Sequence, residues 1–421
     1  MNQLKPTQAA VLGMQHLLAM YSGAVAVPLL IGTALHFNAQ QMTYLVSIDI
    51  FMCGLATLIQ LWRNQYVGIG LPVVLGCAIQ AVQPLTMIGH HFSIGTMYGA
   101  IIMAGLFVFL IAGWFAKLKR FFPPVVTGTL ITMIGLSLIP VAIQQLGGGD
   151  ATAKQFGAGE NLLLWFLTII VIVLIQVFAK GFWNSIAVLL GLIVGSLVAA
   201  MMRMVSTTPV TQAAWVHVPT PFYFGMPHFE WSSILTMCVV ALVSMVESTG
   251  VFLALGDLLQ QDVATDDLKR GYRAEGIAVM LGGIFNTFPY TTFSQNVGLL
   301  QLSGIKTKQP IYWSAGLLML LGLLPKMGAL VTMIPTPVLG GAMLVMFAMI
   351  AVQGIKMLSQ VDFNSQKNLL IMGISIGLGL GVSVYPSLFQ GLPATAQLLL
   401  GNGIVISTIA AVGLNILLPK R

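Results

Sequence analysis

Charge is what this sequence has least of: 7% of its 421 residues are Asp, Glu, Lys or Arg, where soluble domains carry about 25%. With 57% hydrophobic residues and a mean hydropathy of +0.94, there is no polar coat for a water-soluble core, so that class is excluded. Cysteine is scarce as well. Cys53, Cys77 and Cys238 fall in apolar stretches without CxxC or Cys/His spacing, which argues against a disulfide framework and against a metal site. No HExxH spacing and no nucleophile-plus-base pattern occurs, so the sequence points away from an enzyme, with no catalytic residues. The net charge of +7 is strung along short loops and not clustered, which disfavours nucleic acid as a partner. The start, MNQLKPTQAAVLGMQHLL, lacks a cleavable-signal pattern and reads as a short cytoplasmic lead-in.

What is present is one apolar run after another, most of them close to the roughly 20 residues that cross a bilayer and several shorter. The runs are 10–33, 43–62, 68–88, 96–116, 124–143, 162–178, 182–202, 233–256, 272–286, 289–304, 310–325, 328–348, 369–384 and 401–418. They predict a single polytopic, all-α membrane domain over 1–421 with fourteen transmembrane segments. Lys and Arg test the count, because in short loops they favour the cytoplasmic side. With the N-terminus inside, only Lys154, Arg203 and Lys326 of the 18 basic residues fall outside. A missed or invented segment would flip every later loop and scramble that bias, so both termini are expected to be cytoplasmic.

Two halves resemble each other. FPPVVTG at 122–128 opens the fifth segment and IPTPVLGG at 334–341 opens the twelfth. Seven segments separate them, and because seven is odd the halves enter the membrane from opposite faces, the inverted-repeat design of many secondary transporters. Pro and Gly that merely punctuate segment starts are the alternative. The same offset pairs the third segment, GIGLPVVLGCAIQAVQP at 68–84, with the tenth, NTFPYTTFSQNVG at 286–298. Both are poor continuous helices. Broken backbone at membrane depth survives only beside protein or a water-filled cavity, and such a pair in matching positions points to a midplane binding site. The run YTTFS at 290–294 favours extended structure there.

Asp49, Glu247 and Glu275 lie inside the apolar runs. A carboxylate at that depth costs about 2.5–3.5 kcal/mol on insertion scales, so each needs a partner, a proton or water. Glu247 is flanked by Ser244, Ser248, Thr249 and Gly250, small residues that admit a ligand or another backbone. Glu275 is read at the start of the short ninth segment, where a salt bridge to Arg270 or Arg273 competes with a functional role. Asp49 has no basic neighbour in sequence, and hydrogen bonding to an adjacent helix accounts for it equally well. His16 in the first segment is either a proton carrier or a hydrogen-bonded packing residue. Gln295 and Asn296 are adjacent amides in the broken tenth segment, each offering a donor beside an acceptor. With the Glu247 carboxylate and the Phe293 ring they could read a planar heterocycle; alternatively they only tie broken helix ends together.

QNVGLLQLSG at 295–304 resembles the signature of the nucleobase-ascorbate transporter family, with Ser303 where Thr is usual. QHLLAM at 15–20 and VES at 246–248 resemble its first-segment and eighth-segment motifs, and the likeness runs the length of the chain. The resemblance implies a 7+7 inverted repeat. Its core domain would be 1–120 and 233–325 (segments 1–4 and 8–11), its gate domain 121–232 and 326–421 (segments 5–7 and 12–14). Short antiparallel strands in segments 3 and 10 would meet at the substrate. By that likeness Glu247 and Gln295 bind a base through side chains, Ile79 and Ser294 through backbone groups, and Phe293 lies close by. Glu247, Glu275 and His16 become candidates for proton coupling. The implied activity is proton-coupled uptake of a purine such as xanthine or uric acid, driven by the proton gradient without a cofactor. A homodimer paired through the gate domains, in the cytoplasmic membrane of a bacterium, is implied as well. Gln295 stands where uracil permeases of the family carry Glu, which favours a purine. Ala78 stands where xanthine carriers commonly have Asn and urate carriers Thr, so the particular purine stays open. A pyrimidine permease of the same family, or an inorganic-anion carrier of related fold, is the alternative, although an anion would meet the repelling Glu247.

Overall fold

The computed structural model describes residues 4–117, 123–303 and 306–418, and within them every side chain but those of Ser294, Gln295, Leu302, Ser303, Pro386, Ala394 and Thr395. The first half runs α1 (Pro6–Ala34), α2 (Ala39–Leu61), β1 (Leu75–Cys77), a 3-10 turn (Ile79–Ala81), α3 (Val82–His91), α4 (Ile94–Lys117), α5 (Pro124–Gly147), α6 (Gly159–Phe178), α7 (Phe182–Ser185) and α8 (Ala187–Met201). A loop carrying the short α9 (Thr208–Gln212) leads into the second half: α10 (Trp231–Leu259), α11 (Thr265–Ile284), β2 (Tyr290–Thr292), α12 (Ser294–Ser303), α13 (Gln309–Gly322) and α14 (Pro325–Thr332). It ends with α15 (Thr336–Leu358), α16 (Gln366–Val384), a 3-10 turn (Pro386–Phe389), α17 (Ala394–Leu400) and α18 (Gly403–Leu417).

Among the described residues, eight helices are long and apolar enough to cross a bilayer by themselves, and α13 with α14 forms a ninth, bent by 82°. The shorter apolar helices α8 and α18, the more polar α11 and the two strand-broken segments complete the fourteen crossings expected from the sequence.

Packing repeats with the predicted offset. Helix α4 lies along α11 and α2 along α13, two pairs that exchange when each element is replaced by its mate seven segments away. The pairs α6 with α8 and α16 with α18 exchange likewise, and α5 packs on its own mate, α15. Glycines set these close approaches. A Cβ on Gly135 would lie 2.4 Å from the Ala351 nitrogen, one on Gly354 2.3 Å from the Thr132 nitrogen, and one on Gly340 2.4 Å from the Leu146 nitrogen. The α5–α15 seam therefore brings backbone against backbone, as membrane helices do when small residues face each other. Exposure repeats too. In the most apolar stretch of α1 and of α2, 78% of residues are buried, against 22% in α6 and 28% in its mate α16, which places the latter pair against lipid.

Two boundaries differ from the sequence expectation. Helix α11 starts at Thr265 and not near 272, because its first turns carry Asp266, Asp267, Lys269 and Arg270, which an apolar run cannot register. Glu275 is therefore inside that helix. The expected twelfth run, 328–348, is split: 325–332 belongs to the bent end of the eleventh segment, and α15 restarts at Thr336 after Pro335. Hydropathy is continuous across the bend and cannot mark it.

Candidate functional site

The two broken segments cross at the middle of the helix array. β1 and β2 pair antiparallel, with Leu75 opposite Thr292, Gly76 opposite Thr291 and Cys77 opposite Tyr290. The amide of Ala78 donates to Pro289 O at 2.8 Å and that of Phe293 to Val74 O at 3.0 Å, which extends the ladder at both ends. Helices α3 and α12 start beside this ladder, so the positive ends of two helix dipoles converge on it. The irregular approach to β1 is held by the buried Gln60, whose Nε2 donates to Gly271 O (3.1 Å) and whose Oε1 accepts from the Ile69 amide (3.3 Å). Gly68 and Gly70 take φ of +87° and +72° there, a region side chains resist. The broken backbone is thereby satisfied by protein, as membrane depth requires.

Glu247 reaches the ladder from α10. Its Oε2 accepts from Gln80 Nε2 at 3.1 Å and from Thr291 Oγ1 at 3.4 Å. The Gln80 amide also donates to Ser244 Oγ at 2.8 Å, and Ser248 Oγ lies 3.2 Å from both Thr291 Oγ1 and Thr292 Oγ1. The half-buried carboxylate thus sits among neutral donors from both broken segments, and no cation is paired with it among the described residues.

Phe293, buried, lies between α1 and β1: a Cβ on Gly76 would be 2.5 Å from its ring and one on Gly23 3.0 Å. Ala78 is fully buried, and Ile79 is half-buried at the start of the 3-10 turn. Ser294 and Gln295 open α12, and their side chains lie outside the described residues. Asn296 is joined to His16: its Nδ2 lies 3.1 Å from His16 Nδ1 and donates to His16 O at 3.1 Å, while its buried Oδ1 has no partner. The structure thus ties two residues from segments 1 and 10 that the sequence nominated separately.

Glu275 stands apart from the arginines considered for it. The described ion pairs join Asp267 to Arg63 (2.8 Å) and to Arg270, while Glu275 is buried with Oε1 unpartnered. It borders a void of about 10 Å³ shared with Ser244, Pro289 and Tyr290, room for about one water. Asp49 accepts from Tyr290 OH at 3.1 Å and lies 2.9 Å from Cys77 Sγ, which clamps the far side of the Cys77–Tyr290 pair. The carboxylate of Asp49 and the thiols of Cys53 and Cys77 lie within 4.8 Å of one another, a cluster to which the spacing of the cysteines gave no clue. A larger cavity of about 430 Å³ lies elsewhere, lined by Tyr44, His217, Tyr223 and residues around α9. It contains no residue of the Glu247 cluster.

Gln80, Thr291 and Ser244 were not singled out as site residues from the sequence. The signal for Gln80 was there: a long polar side chain inside a Pro/Gly-broken membrane segment already marked as a pointer to the site.

The comparisons with known proteins bear on the fold and the family. A model described as the Permease family matches residues 7–388. The uric acid permease PucK of Bacillus subtilis is 54% identical, over 97% of this chain and 95% of its own length. The xanthine permease of Bacillus subtilis is 53% identical (96% and 92%), and the nucleobase transporter PlUacP of Paenibacillus larvae 50% (98% and 95%). Among solved structures, the transmembrane domain of the cyanobacterial bicarbonate transporter BicA superposes with a TM-score of 0.66 over 91% of this chain and 97% of that one, at 16% identity. Murine Slc26a9 gives 0.63 at 12% identity, over 96% and 69%. At those identities the likeness concerns the fold alone. A membrane-crossing inverted repeat, the broken-segment motifs and relatives above 50% identity over nearly the full length lead to one statement: the chain belongs to the Permease family, the nucleobase-ascorbate transporters, and is a multi-pass membrane permease and not an enzyme.

Proposed function

We propose that this permease takes up an oxidised purine base, such as xanthine or uric acid, across the cytoplasmic membrane together with protons. The observation that carries the reading is the Glu247 carboxylate seated at the β1–β2 crossing with neutral hydrogen-bonding neighbours, in a chain whose relatives are named for those two purines. A carboxylate without a cation suits the ring N–H groups of a purine, whereas bicarbonate would face it mainly with acceptor oxygens. That weighs against bicarbonate-like cargo despite the BicA fold. By family likeness, Gln295 and the backbone of Ile79 and Ser294 complete the contacts, Phe293 lies close by, and Ala78 and Asn296 shape the site.

Protons are the proposed driving ion, with Glu247, Glu275 and the His16–Asn296 pair as candidates for coupling and the proton gradient in place of any cofactor. The proposed core domain holds segments 1–4 and 8–11. The proposed gate domain holds segments 5–7 and 12–14 and pairs two copies of the chain. The tight α5–α15 seam and the lipid-facing α6 and α16 support that division. Both termini are proposed to be cytoplasmic.

Uptake of radiolabelled xanthine, urate, guanine and uracil in cells stripped of their own purine carriers tests the reading. Xanthine or urate is expected to accumulate and uracil not to; a well-expressed chain that accumulates no purine overturns it.

A further inference from the structure

We propose that Gln80 determines which purines the site accepts, by occupying one of the two oxygens of Glu247. The proposal rests on the reading of Glu247 as the residue that receives the base. Gln80 is 2% exposed and sits in the 3-10 turn after β1, where both Nε2 hydrogens are committed: one to Ser244 Oγ at 2.8 Å, the other to Glu247 Oε2 at 3.1 Å. Thr291 Oγ1 adds a second donor to the same oxygen at 3.4 Å. A carboxylate oxygen has two lone-pair sites, so Oε2 is filled, and every described hydrogen bond to Glu247 falls on it. Oε1 is left to receive a ligand.

A single receiving oxygen discriminates between purines. An N–H held between two ring carbonyls, as in xanthine or urate, needs one acceptor. A ring N–H beside an exocyclic amino group, as in guanine, presents two parallel donors that match both oxygens of a free carboxylate, in the forked manner of an arginine on a carboxylate. With Oε2 occupied, the second of these donors would be left unpaired, and sites that strand a polar group reject such ligands strongly. Gln80 lies two residues beyond Ala78, the position at which the family resemblance expected the purine to be chosen. Ala78 has no polar side chain for that task, and Gln80 reaches the carboxylate.

The test is competition of unlabelled xanthine and guanine against radiolabelled xanthine uptake, in the full-length wild type and in Gln80→Leu and Gln80→Met, with membrane amounts measured for each. Gln80→Met keeps the length of the side chain if the leucine variant folds poorly. In the wild type, guanine is expected to compete at least tenfold less well than xanthine, and in either variant that ratio is expected to fall by about tenfold. Binding to purified Glu247→Gln is expected to be weak and not changed further by Gln80→Leu, because Gln80 acts through the carboxylate. Guanine competing as well as xanthine in the wild type, or a ratio that stays within twofold in the variants, overturns the role of Gln80 while leaving the purine reading intact. Absence of purine uptake by the wild type overturns both.

Discussion

A buried or half-buried carboxylate in a membrane is stable only with a defined set of neighbours, and the three intramembrane acids of this chain have three different sets. Asp49 is spent on the strand pair, through Tyr290 and Cys77. Glu275 keeps one buried oxygen without a partner. Glu247 is held on one oxygen by residues of both broken segments, so it alone is both fixed in orientation and open to a ligand. Replacing Glu247 by Gln preserves shape and removes the charge that strengthens hydrogen bonds to a base. Hydrogen bonds to charged groups contribute about 1.5–3 kcal/mol, so purine affinity is expected to fall roughly 10- to 150-fold and uptake at low substrate to vanish. Equilibrium binding to the purified variant checks this, and wild-type affinity would remove Glu247 from the site.

At the scale of elements, the firmest contacts are those where glycine brings helix axes together. Gly135 of α5 faces the Ala351 nitrogen and the Phe347 oxygen of α15, at 2.4 and 2.6 Å from an added Cβ. Gly135→Leu cannot be absorbed by a side-chain rotation, since backbone stands opposite. Overpacking of this kind costs about 1–3 kcal/mol, so detergent-solubilised Gly135→Leu is expected to unfold several degrees below wild type. An unchanged midpoint would show that the seam is looser than described. Gly250, with open space around it, provides the matched control at a helical glycine. Much of this architecture was legible in the sequence, because apolar length, loop charge and the FPPVVTG and IPTPVLGG starts are one-dimensional signals. An extended stretch in the tenth segment was foreseen from Pro289 and the Thr-rich run, and its pairing with the third segment only from the family resemblance. The 82° bend between α13 and α14 was not, since both arms are apolar, and neither was the true start of α11, whose first turns look like a loop. The Gln80–Glu247 contact joins residues far apart in sequence, and Cys77 reaches the neighbouring Asp49 and Cys53 of α2 from another segment; no local pattern announces such meetings.

The whole molecule is governed by its odd repeat. Because seven crossings separate mates, the loop after α5 and the loop after α15 occupy equivalent places in their halves and belong on opposite sides of the membrane. Lys154, exposed in the first loop, is one of the few basic residues expected outside; Ser359, exposed in the second, adjoins Lys356 on the proposed cytoplasmic side. The native thiols favour a direct test, since Cys53 and Cys77 are fully buried and Cys238 half-buried, and background labelling is therefore expected to be low. A membrane-impermeant maleimide applied to intact cells is expected to label Lys154→Cys at once and Ser359→Cys only after permeabilisation. Labelling of both from the same side would mean that the halves run parallel, and the two broken segments would then approach the midplane from one face. The β1–β2 ladder is antiparallel, as two mates related by inversion require when they meet at their shared axis. That ladder presents Thr291 and Gln80 to Glu247, so the labelling pattern tests the inversion that brings the two broken segments to the binding site as well as the topology.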